Sequence, residues 1–233
     1  MPSVLITGAS RGLGREILDV YAKNGWNVFP LVRDIKVARE LESIYEPRCH
    51  AIVGDVTDDN IELEISNVLG KHTGTLDLLI NNAGNIRKNR GIEKANPNDL
   101  LDTFNVHCAG AVRCSRAAFP FLKKSPKAVV VNISSRFSSI NRILEAERDY
   151  IYAYCIAKCS QNMLTACLHQ ELKKFNIRVL AVHPGRLKTS VAPADADTEP
   201  REAAERLYEW LATVDDSTEC RLYDLMEGKA IEW

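Results

Sequence analysis

Hydrophobic positions along the chain follow two alternating patterns. Short runs of β-branched and aliphatic residues, typical of buried strands, are separated by longer stretches in which apolar residues recur every three or four positions, as on a helix. The predicted strands are residues 4–6, 27–32, 50–54, 76–80, 127–133, 177–182 and 221–225. The predicted helices begin at Leu13 and then cover 35–45, 58–71, 97–123, 150–175 and 201–212.

The strict alternation of strand and helix predicts an α/β fold. We expect a single Rossmann-like, doubly wound parallel sheet of about seven strands with helices on both faces. The chain contains no internal repeat and no linker composition, so residues 1–233 are expected to form one domain. Three stretches without strong periodicity, at about 85–96, 136–149 and 186–200, are predicted to be loops.

Composition narrows the functional classes. The chain has 233 residues, of which 45% are hydrophobic, enough for one large core. Its net charge of −1 offers no electrostatic basis for binding nucleic acid or a membrane surface. The seven cysteines form no Cys-x-x-Cys pair and the five histidines lack ligand spacing, which favours reduced, mostly buried thiols and no metal site.

Targeting signals are not expected either. The first strand begins at residue 3, leaving no room for an apolar leader before it. No apolar run approaches the ~18 residues of a membrane span. We therefore expect a cytoplasmic protein.

The first predicted strand runs into a glycine-rich turn and then a helix. The spacing is Gly-x-x-x-Gly-x-Gly, formed by Gly8, Gly12 and Gly14. Glycines let the backbone approach a ligand closely, and the free N–H groups at a helix N-terminus suit a phosphate. The turn favours a dinucleotide site over the alternative of a simple tight βα turn.

Ligands in doubly wound sheets lie beyond the carboxyl ends of the strands. Strand ends collect turn residues in any protein, so the identities of these residues must decide whether they bind a ligand. The residues at the later strand ends are Arg33, Asp55, Asn82, Ser134, Ser135, Pro184 and Gly185.

Tyr154 and Lys158 lie four residues apart, on one face of a predicted helix. A phenol has a pKa of about 10, and a cation about 4 Å away stabilises phenolate by about 4 kcal/mol at a dielectric near 20. That would lower the phenol pKa by about three units, towards the range useful for proton transfer. The same spacing also arises by chance on amphipathic helices.

Together these motifs resemble the short-chain dehydrogenase/reductase family over nearly the whole chain. The motifs are Thr7-Gly8-Ala9-Ser10-Arg11-Gly12-Leu13-Gly14, Asn81-Asn82-Ala83-Gly84, Asn105, Ser135, Tyr154/Lys158 and Pro184-Gly185, in the family's order. Within the family, the chain is similar to the C-factor and Sniffer-like carbonyl reductases at 152–158, 183–189 and the final Glu-Gly-Lys-Ala-Ile-Glu-Trp.

The resemblance implies four catalytic residues. Tyr154 would donate the proton to a carbonyl oxygen, and Lys158 would lower the tyrosine pKa and bind the nicotinamide ribose. Ser135, rather than Ser134, would orient the carbonyl. Asn105 would hold a water behind Lys158; the alternative is a kink or a satisfied buried amide.

The resemblance also implies a nicotinamide cofactor. The cofactor-binding residues would be Gly8, Ser10, Arg11, Gly12, Leu13, Gly14, Arg33, Asp55, Val56, Asn82, Ala83, Gly84, Tyr154, Lys158, Pro184, Gly185, Leu187 and Thr189. Arg11 and Arg33 can pair with a 2′-phosphate, which favours NADP(H), with NAD(H) as the alternative. Asp34 could instead accept from a ribose or pair with Arg33.

The expected activity is NADPH-dependent hydride transfer between nicotinamide and a carbonyl or secondary-alcohol substrate. The alternatives are a dinucleotide-binding signalling or regulatory protein of the C-factor type with little turnover, and a scaffold that binds no nucleotide. The three loops would form the substrate side. The long 136–149 insert would be a loop or short helix at the pocket mouth, or a solvated face.

Two further expectations concern ligands and partners. Arg186 could favour an acidic carbonyl substrate or be a surface arginine. Helices 97–123 and 150–175 carry apolar residues on more than one face and commonly pair in this fold, which suggests a homodimer or homotetramer.

Overall fold

The computed structural model describes residues 1–87, 89–145, 150–189 and 196–233. One eight-stranded sheet runs through it in the order β3-β2-β1-β4-β5-β6-β7-β8. The strands are β1 (Ser3–Thr7), β2 (Asn27–Val32), β3 (Ile52–Val53), β4 (Leu78–Asn81), β5 (Ala128–Ile133), β6 (Ile177–His183), β7 (Leu222–Asp224) and β8 (Lys229–Ile231). The predicted α/β class with a doubly wound sheet is confirmed.

Helices cover both faces of this sheet. They are α1 (Gly12–Lys23), α2 (Ile35–Ile44), α3 (Ile61–His72), α4 (Pro97–Phe104), α5 (Gly110–Leu122), α6 (Ile140–Leu144), α7 (Tyr152–Leu172) and α8 (Pro200–Ala212). Side chains of β1 alternate between the two layers: Val4 and Ile6 pack in the cluster that includes α1 and α8. Leu5 packs in the opposite cluster, with α3 and α5.

The sheet has one strand more than predicted. β8 is antiparallel to β7, pairing Leu222 with Ile231, whereas the other adjacent pairs are parallel. A three-residue strand with two exposed residues carries too weak a pattern to be predicted. The turn before it requires Gly228, which has φ 65°.

Pro30 lies in β2, inside the sheet, where a residue without an N–H is unusual. On the side of edge strand β3, the backbone N–H of Val28 donates to the carbonyl of Arg48, and the carbonyl of Val28 accepts from the N–H of His50. The backbone nitrogen of Pro30, two residues later, faces the same side. β3 pairs only with Leu31 and Val32, so the missing donor falls where the edge ladder is interrupted.

The predicted helix 97–123 is interrupted. A π-helical turn, Asn105–Ala109, separates α4 from α5, and the N–H of Gly110 bonds to the carbonyl of Asn105. Such wide turns occur often at functional sites because they displace side chains and loosen the carbonyl ladder. The sequence pattern did not indicate this turn, because apolar residues continue through it.

Other boundaries differ from the predictions by a few residues. The long helix predicted over 150–175 ends at Leu172 and continues as a 3-10 turn, Lys173–Phe175. The insert predicted over 136–149 contains a 3-10 turn, Arg136–Ser138, followed by α6; residues 146–149 lie outside the described part. Residue 88 and residues 190–195, within the other two predicted loops, are also outside it.

All seven cysteines are free thiols, and four of them are buried, as expected of mostly buried thiols. Among the described residues, none of the helices combines the length and apolarity that crossing a membrane requires.

Two leucines of α3 test how much of the fold rests on core packing. Leu69 is fully buried, whereas Leu63 is 61% exposed. We expect Leu69→Ala to lower the free energy of unfolding by about 2–5 kcal/mol, because a cavity remains. Leu63→Ala should change it by less than about 0.5 kcal/mol. Urea unfolding followed by circular dichroism measures both; equal losses would contradict the assigned core.

Candidate active site

The carboxyl ends of the parallel strands open into a cleft of about 870 Å³. It lies where the strand order reverses, between β1 and β4, the position at which ligands bind in this architecture. Every residue predicted above to bind cofactor lines this cleft, and so do Ser135, Tyr154 and Lys158. Of the predicted site residues, Asn105 alone does not line it.

The glycine turn forms one end of the cleft. Gly8 and Gly12 have positive φ, 68° and 57°. A Cβ atom on Gly8 would lie 2.8 Å from the Cα of Ala83, and one on Gly14 would lie 2.5 Å from the Nδ2 atom of Asn82. These contacts explain why the turn uses glycine where β1 meets α1.

Asn82 joins the ends of β1 and β4. Its Nδ2 atom donates to the carbonyl oxygens of Thr7 at 2.9 Å and Gly8 at 3.2 Å. The Thr7 hydroxyl oxygen accepts from the backbone N–H groups of Asn82 and Ala83, both at 2.9 Å. These bonds hold the glycine turn against the end of β4.

The first turn of α1 offers its N–H groups to the cleft. Arg11, the N-cap residue, makes no side-chain cap, and the first turn contains no acidic residue. Helix N-termini of this kind attract anions. The dipole and the backbone therefore suit a phosphate group.

Charged residues at the ends of β2 and β3 surround the neighbouring part of the cleft. Arg33 is exposed and lies 3.6 Å from Asp55. Burial raises the pKa of Asp55, but hydrogen bonds from Thr57 and the charge of Arg33 lower it overall. Asp34 accepts from the backbone N–H of Lys36 at 2.8 Å and so caps α2.

The other end of the cleft contains Ser135 and Tyr154. Ser135 hydrogen-bonds with Tyr154, and its Oγ atom also accepts from the N–H of Phe137 at 3.2 Å. Ser134 instead donates to Asn162 at 2.7 Å within a buried network. This arrangement favours Ser135 over Ser134 as the hydroxyl that acts with the tyrosine.

Lys158 is 4% exposed, on the same face of α7 as Tyr154. Its Nζ atom donates to the carbonyl of Ile133, at the end of β5, and to Oε1 of Gln161 at 3.0 Å. Nζ lies 5.8 Å from the centre of the Tyr154 ring. The pair predicted from the sequence is therefore brought to one place.

The pKa of the tyrosine differs from the expectation. Burial raises the pKa of Tyr154, and the hydrogen bond with Ser135 only partly offsets this rise. Burial also lowers the pKa of Lys158 to about 7. The spacing of the two residues reflects the charge of the lysine, whereas the loss of solvent by both groups, which opposes ionisation of each, arises only in the folded protein.

The role of Asn105 as the holder of a water behind Lys158 stays a prediction. The Oδ1 atom of Asn105 accepts from Arg113 at 3.0 Å, outside the cleft, within the π-helical turn. The side chain that accepts a hydrogen bond from Lys158 is Gln161. Gln161 was not among the predicted site residues, because a buried glutamine on a helix has no characteristic motif.

The segment after β6 forms a further wall of the cleft. Gly185 has φ 100°, and a Cβ atom there would lie 2.8 Å from Thr198 and Met226. Leu187 forms a parallel bridge with Thr198, and the N–H of Thr189 bonds to the carbonyl of Leu187. Pro184, Gly185, Leu187 and Thr189 all line the cleft, as predicted.

Two buried histidines, His107 and His183, also line the cleft. The ring of His107 packs edge-on against Tyr154, with centres 5.9 Å apart, and its Nε2 atom lies 2.9 Å from the carbonyl of Asn85. Burial, together with the positive charge of Lys158, lowers the pKa of His107 to about 3. Burial also lowers the pKa of His183, against the opposing charge of Asp224.

The predicted substrate side carries arginines already engaged with other groups. Arg186 forms an ion pair with Asp197. Arg136 lies over the ring of Phe137, 5.4 Å from its centre. Arg142 on α6 lies 3.8 Å from Glu227. No three metal-ligating side chains meet in the described part of the chain.

Comparison with known proteins identifies relatives. The model of the short chain dehydrogenase family matches residues 2–200. A short-chain dehydrogenase/reductase of Aspergillus fumigatus is 30% identical over 232 residues, covering 88% of this chain and 86% of that protein. An NADPH-dependent pterin aldehyde reductase of Arabidopsis thaliana is 26% identical over 191 residues, covering 81% of this chain and 76% of that protein.

Solved structures have the same architecture. An NADPH-bound carbonyl reductase from chicken fatty liver is 27% identical, with a TM-score of 0.90, and the match covers 100% of this chain and 99% of that one. The carbonyl reductase Sniffer of D. melanogaster shares the fold at 24% identity, with a TM-score of 0.89 and 100% coverage of both chains.

The buried histidines predict acid sensitivity. Because the pKa of His107 falls from an unfolded value near 6.5 to about 3, the unfolded chain binds the proton first. This contribution to stability is complete above pH 6.5 and declines as pH falls, by up to about 1.4 kcal/mol per pH unit. His107→Gln should make urea-derived stability fall less steeply between pH 6.5 and 4.5. The exposed His72→Gln is the control; equal slopes in both variants would refute the assignment.

Proposed function

The chain belongs to the short-chain dehydrogenase/reductase family, and from that premise we propose that it is an NADPH-dependent carbonyl reductase or the reverse alcohol dehydrogenase. The resemblance to the family is confirmed by the family match, and the structural neighbours that share the fold include the carbonyl reductase Sniffer. One observation carries the proposal. Ser135, Tyr154 and Lys158 meet at one end of a cleft whose other end is the glycine turn.

The residues of the cleft fit a dinucleotide. Gly8 and Gly14 have no room for a side chain, so the backbone itself borders the ligand space. The uncapped first turn of α1 can hold the pyrophosphate, and Asp55 with Val56 can contact the adenine. Tyr154, Lys158 and Thr189 would hold the nicotinamide half. When bound, the nicotinamide supplies or accepts the hydride.

The protein's own part of the reaction is proton transfer and orientation. Because its pKa is raised, Tyr154 carries its proton near neutral pH and can donate it to a carbonyl oxygen. Ser135, hydrogen-bonded to the phenol, orients the same oxygen and stabilises the charge that develops there. A charged Lys158 favours the phenolate left after proton transfer.

Arg11 and Arg33 support the preference for NADP(H) over NAD(H). Both line the cleft, and guanidinium groups pair well with a 2′-phosphate. Asp34, the carboxylate that could accept from a ribose hydroxyl, caps α2 and does not line the cleft. The chicken-liver relative is an NADPH-bound structure, and the Arabidopsis relative is named as NADPH-dependent.

Association between copies remains a prediction. Large apolar side chains stay exposed on the helices expected to pair: Leu101 and Phe104 on α4, Val112 on α5, Ile156 and Met163 on α7. Burying them against a second copy would remove this apolar surface from water. Sedimentation equilibrium distinguishes a monomer from a dimer or tetramer.

Replacing the phenol tests the reaction. Tyr154→Phe should lower kcat for carbonyl reduction by about 10²–10⁴-fold, because the proton donor is lost. Its Kd for NADPH should change only a few-fold. Turnover is followed by NADPH absorbance on a panel of aldehydes, ketones and diones.

Tyr152→Phe, on the same helix and 38% exposed, is the matched control and should keep full activity. If the unaltered protein binds NADPH but turns over nothing on the panel, the signalling alternative is favoured. If it binds neither NADPH nor NADH, the scaffold alternative is favoured.

Replacing Arg33 tests the cofactor preference. Arg33→Gln should raise the Kd for NADPH about tenfold or more, because a charged hydrogen bond to the 2′-phosphate is lost. The Kd for NADH should change less than about threefold. Fluorescence titration measures both; Arg39→Gln, an exposed arginine of α2 outside the cleft, is the control. Equal losses for both dinucleotides would contradict the assignment.

A further inference from the structure

Gln161 lies three residues after Lys158 on α7 and is 1% exposed. Its Oε1 atom accepts from Nζ of Lys158 at 3.0 Å, and its Nε2 atom donates to the carbonyl of His107 at 3.0 Å. An ammonium can only donate and a carbonyl can only accept, so the amide satisfies both partners in one orientation alone. Its geometry is therefore determined by its neighbours.

The hydrogen bond from the Gln161 side-chain amide to His107 reaches a carbonyl of the π-helical turn. This wide turn makes carbonyl oxygens available to side-chain donors, and Gln161 uses one of them. A second bond joins the same two elements, from the thiol of Cys108 to the carbonyl of Ala157 at 3.3 Å. Together these contacts attach the π turn to the part of α7 that carries Lys158.

The ammonium of Lys158 has three donor hydrogens. Ile133 and Gln161 accept two of them, and among the described residues this leaves one for the cleft that Lys158 lines. Without Gln161, the buried ammonium would lose one of its two protein acceptors and the constraint on the direction of the third hydrogen. A buried charge with unmet donors is strongly disfavoured.

We propose that Gln161 is a positioning residue for Lys158. Its amide keeps the lysine charged and directed into the cleft, and it couples the lysine's position to the π turn. The proposal rests on the proposed function for its effect on turnover. Its structural part concerns Lys158 alone and can be tested without turnover.

Other titratable groups near Lys158 do not confuse the test. Tyr154 lies on the same helix, and His107 and Cys108 face the lysine from the π turn. Burial holds the pKa of His107 at about 3 and raises that of Cys108 to about 11, so both are uncharged from pH 5 to 9. On the β5 side, Lys158 meets the Ile133 carbonyl.

Three variants separate the two functions of the amide. Gln161→Met removes acceptor and donor while filling the space. Gln161→Glu keeps an acceptor for Lys158 but cannot donate to His107 when ionised. Gln170→Met is the control, because Gln170 also accepts from a lysine three residues away, Lys173, but at the exposed end of α7.

The measurements are kcat against pH and direct titration of Lys158 by NMR of its labelled ε-carbon. Gln161→Met should lower kcat about 10–100-fold with at most a few-fold change in the Kd for NADPH. The pKa of Lys158, and the basic limb of the kcat profile with it, should move down by about one unit or more. Gln161→Glu should hold that pKa at or above its unaltered value, and Gln170→Met should change nothing.

If Gln161→Met folds and the pKa of Lys158 is unchanged, the proposal is overturned. A loss of kcat without any shift of its pH profile also overturns it, because that result indicates a merely structural role. If Gln161→Met fails to fold, the comparison passes to Gln161→Asn. The shorter amide cannot reach both partners, and an unchanged Lys158 pKa there overturns the proposal equally. If the unaltered protein shows no turnover, the proposed function fails, while the NMR titration still decides the role of Gln161.

Discussion

The burial of the Lys158 ammonium constrains the reactive end of the molecule more than any other contact. A lysine with 4% exposure is stable in its charged form only if its donors meet acceptors. The carbonyl of Ile133 is available because β5 ends there, and the amide of Gln161 because it follows one helical turn later. These hydrogen bonds to Lys158 fix the end of β5, the start of α7 and the π turn relative to one another. Ser135 and Tyr154 are positioned by the same elements.

The opposite end of the cleft depends on close backbone packing rather than on charge. Gly8, Gly14 and Asn82 hold the ends of β1 and β4 so close that no Cβ atom fits at either glycine. These two strands are also neighbours at the point where the sheet order reverses. The reversal opens the cleft, and the glycine turn shapes its floor. The two ends of the site are therefore positioned by one sheet and need no flexible connection.

Burial also changes the electrostatics expected from local spacing. A lysine four residues from a tyrosine predicts a lowered tyrosine pKa, but desolvation raises it instead and lowers the pKa of Lys158 to about 7. The same effect keeps His107 uncharged beside the cleft. The pair therefore suits a reaction in which the phenol starts as the proton donor. The pKa of Lys158 lies close enough to neutral pH that neighbours such as Gln161 can change its charge.

By itself, the sequence determined the fold class, the alternation of strands and helices along the chain and the strand-end residues that line the cleft, because strand ends of a parallel sheet converge and the motifs mark those ends. Only the tertiary structure decided which groups touch. It placed Asn105 against Arg113, joined Lys158 to Gln161, introduced the π turn and made Asp34 a helix cap. These outcomes depend on desolvation and on hydrogen bonds between elements distant in sequence, and local spacing carries no information about either.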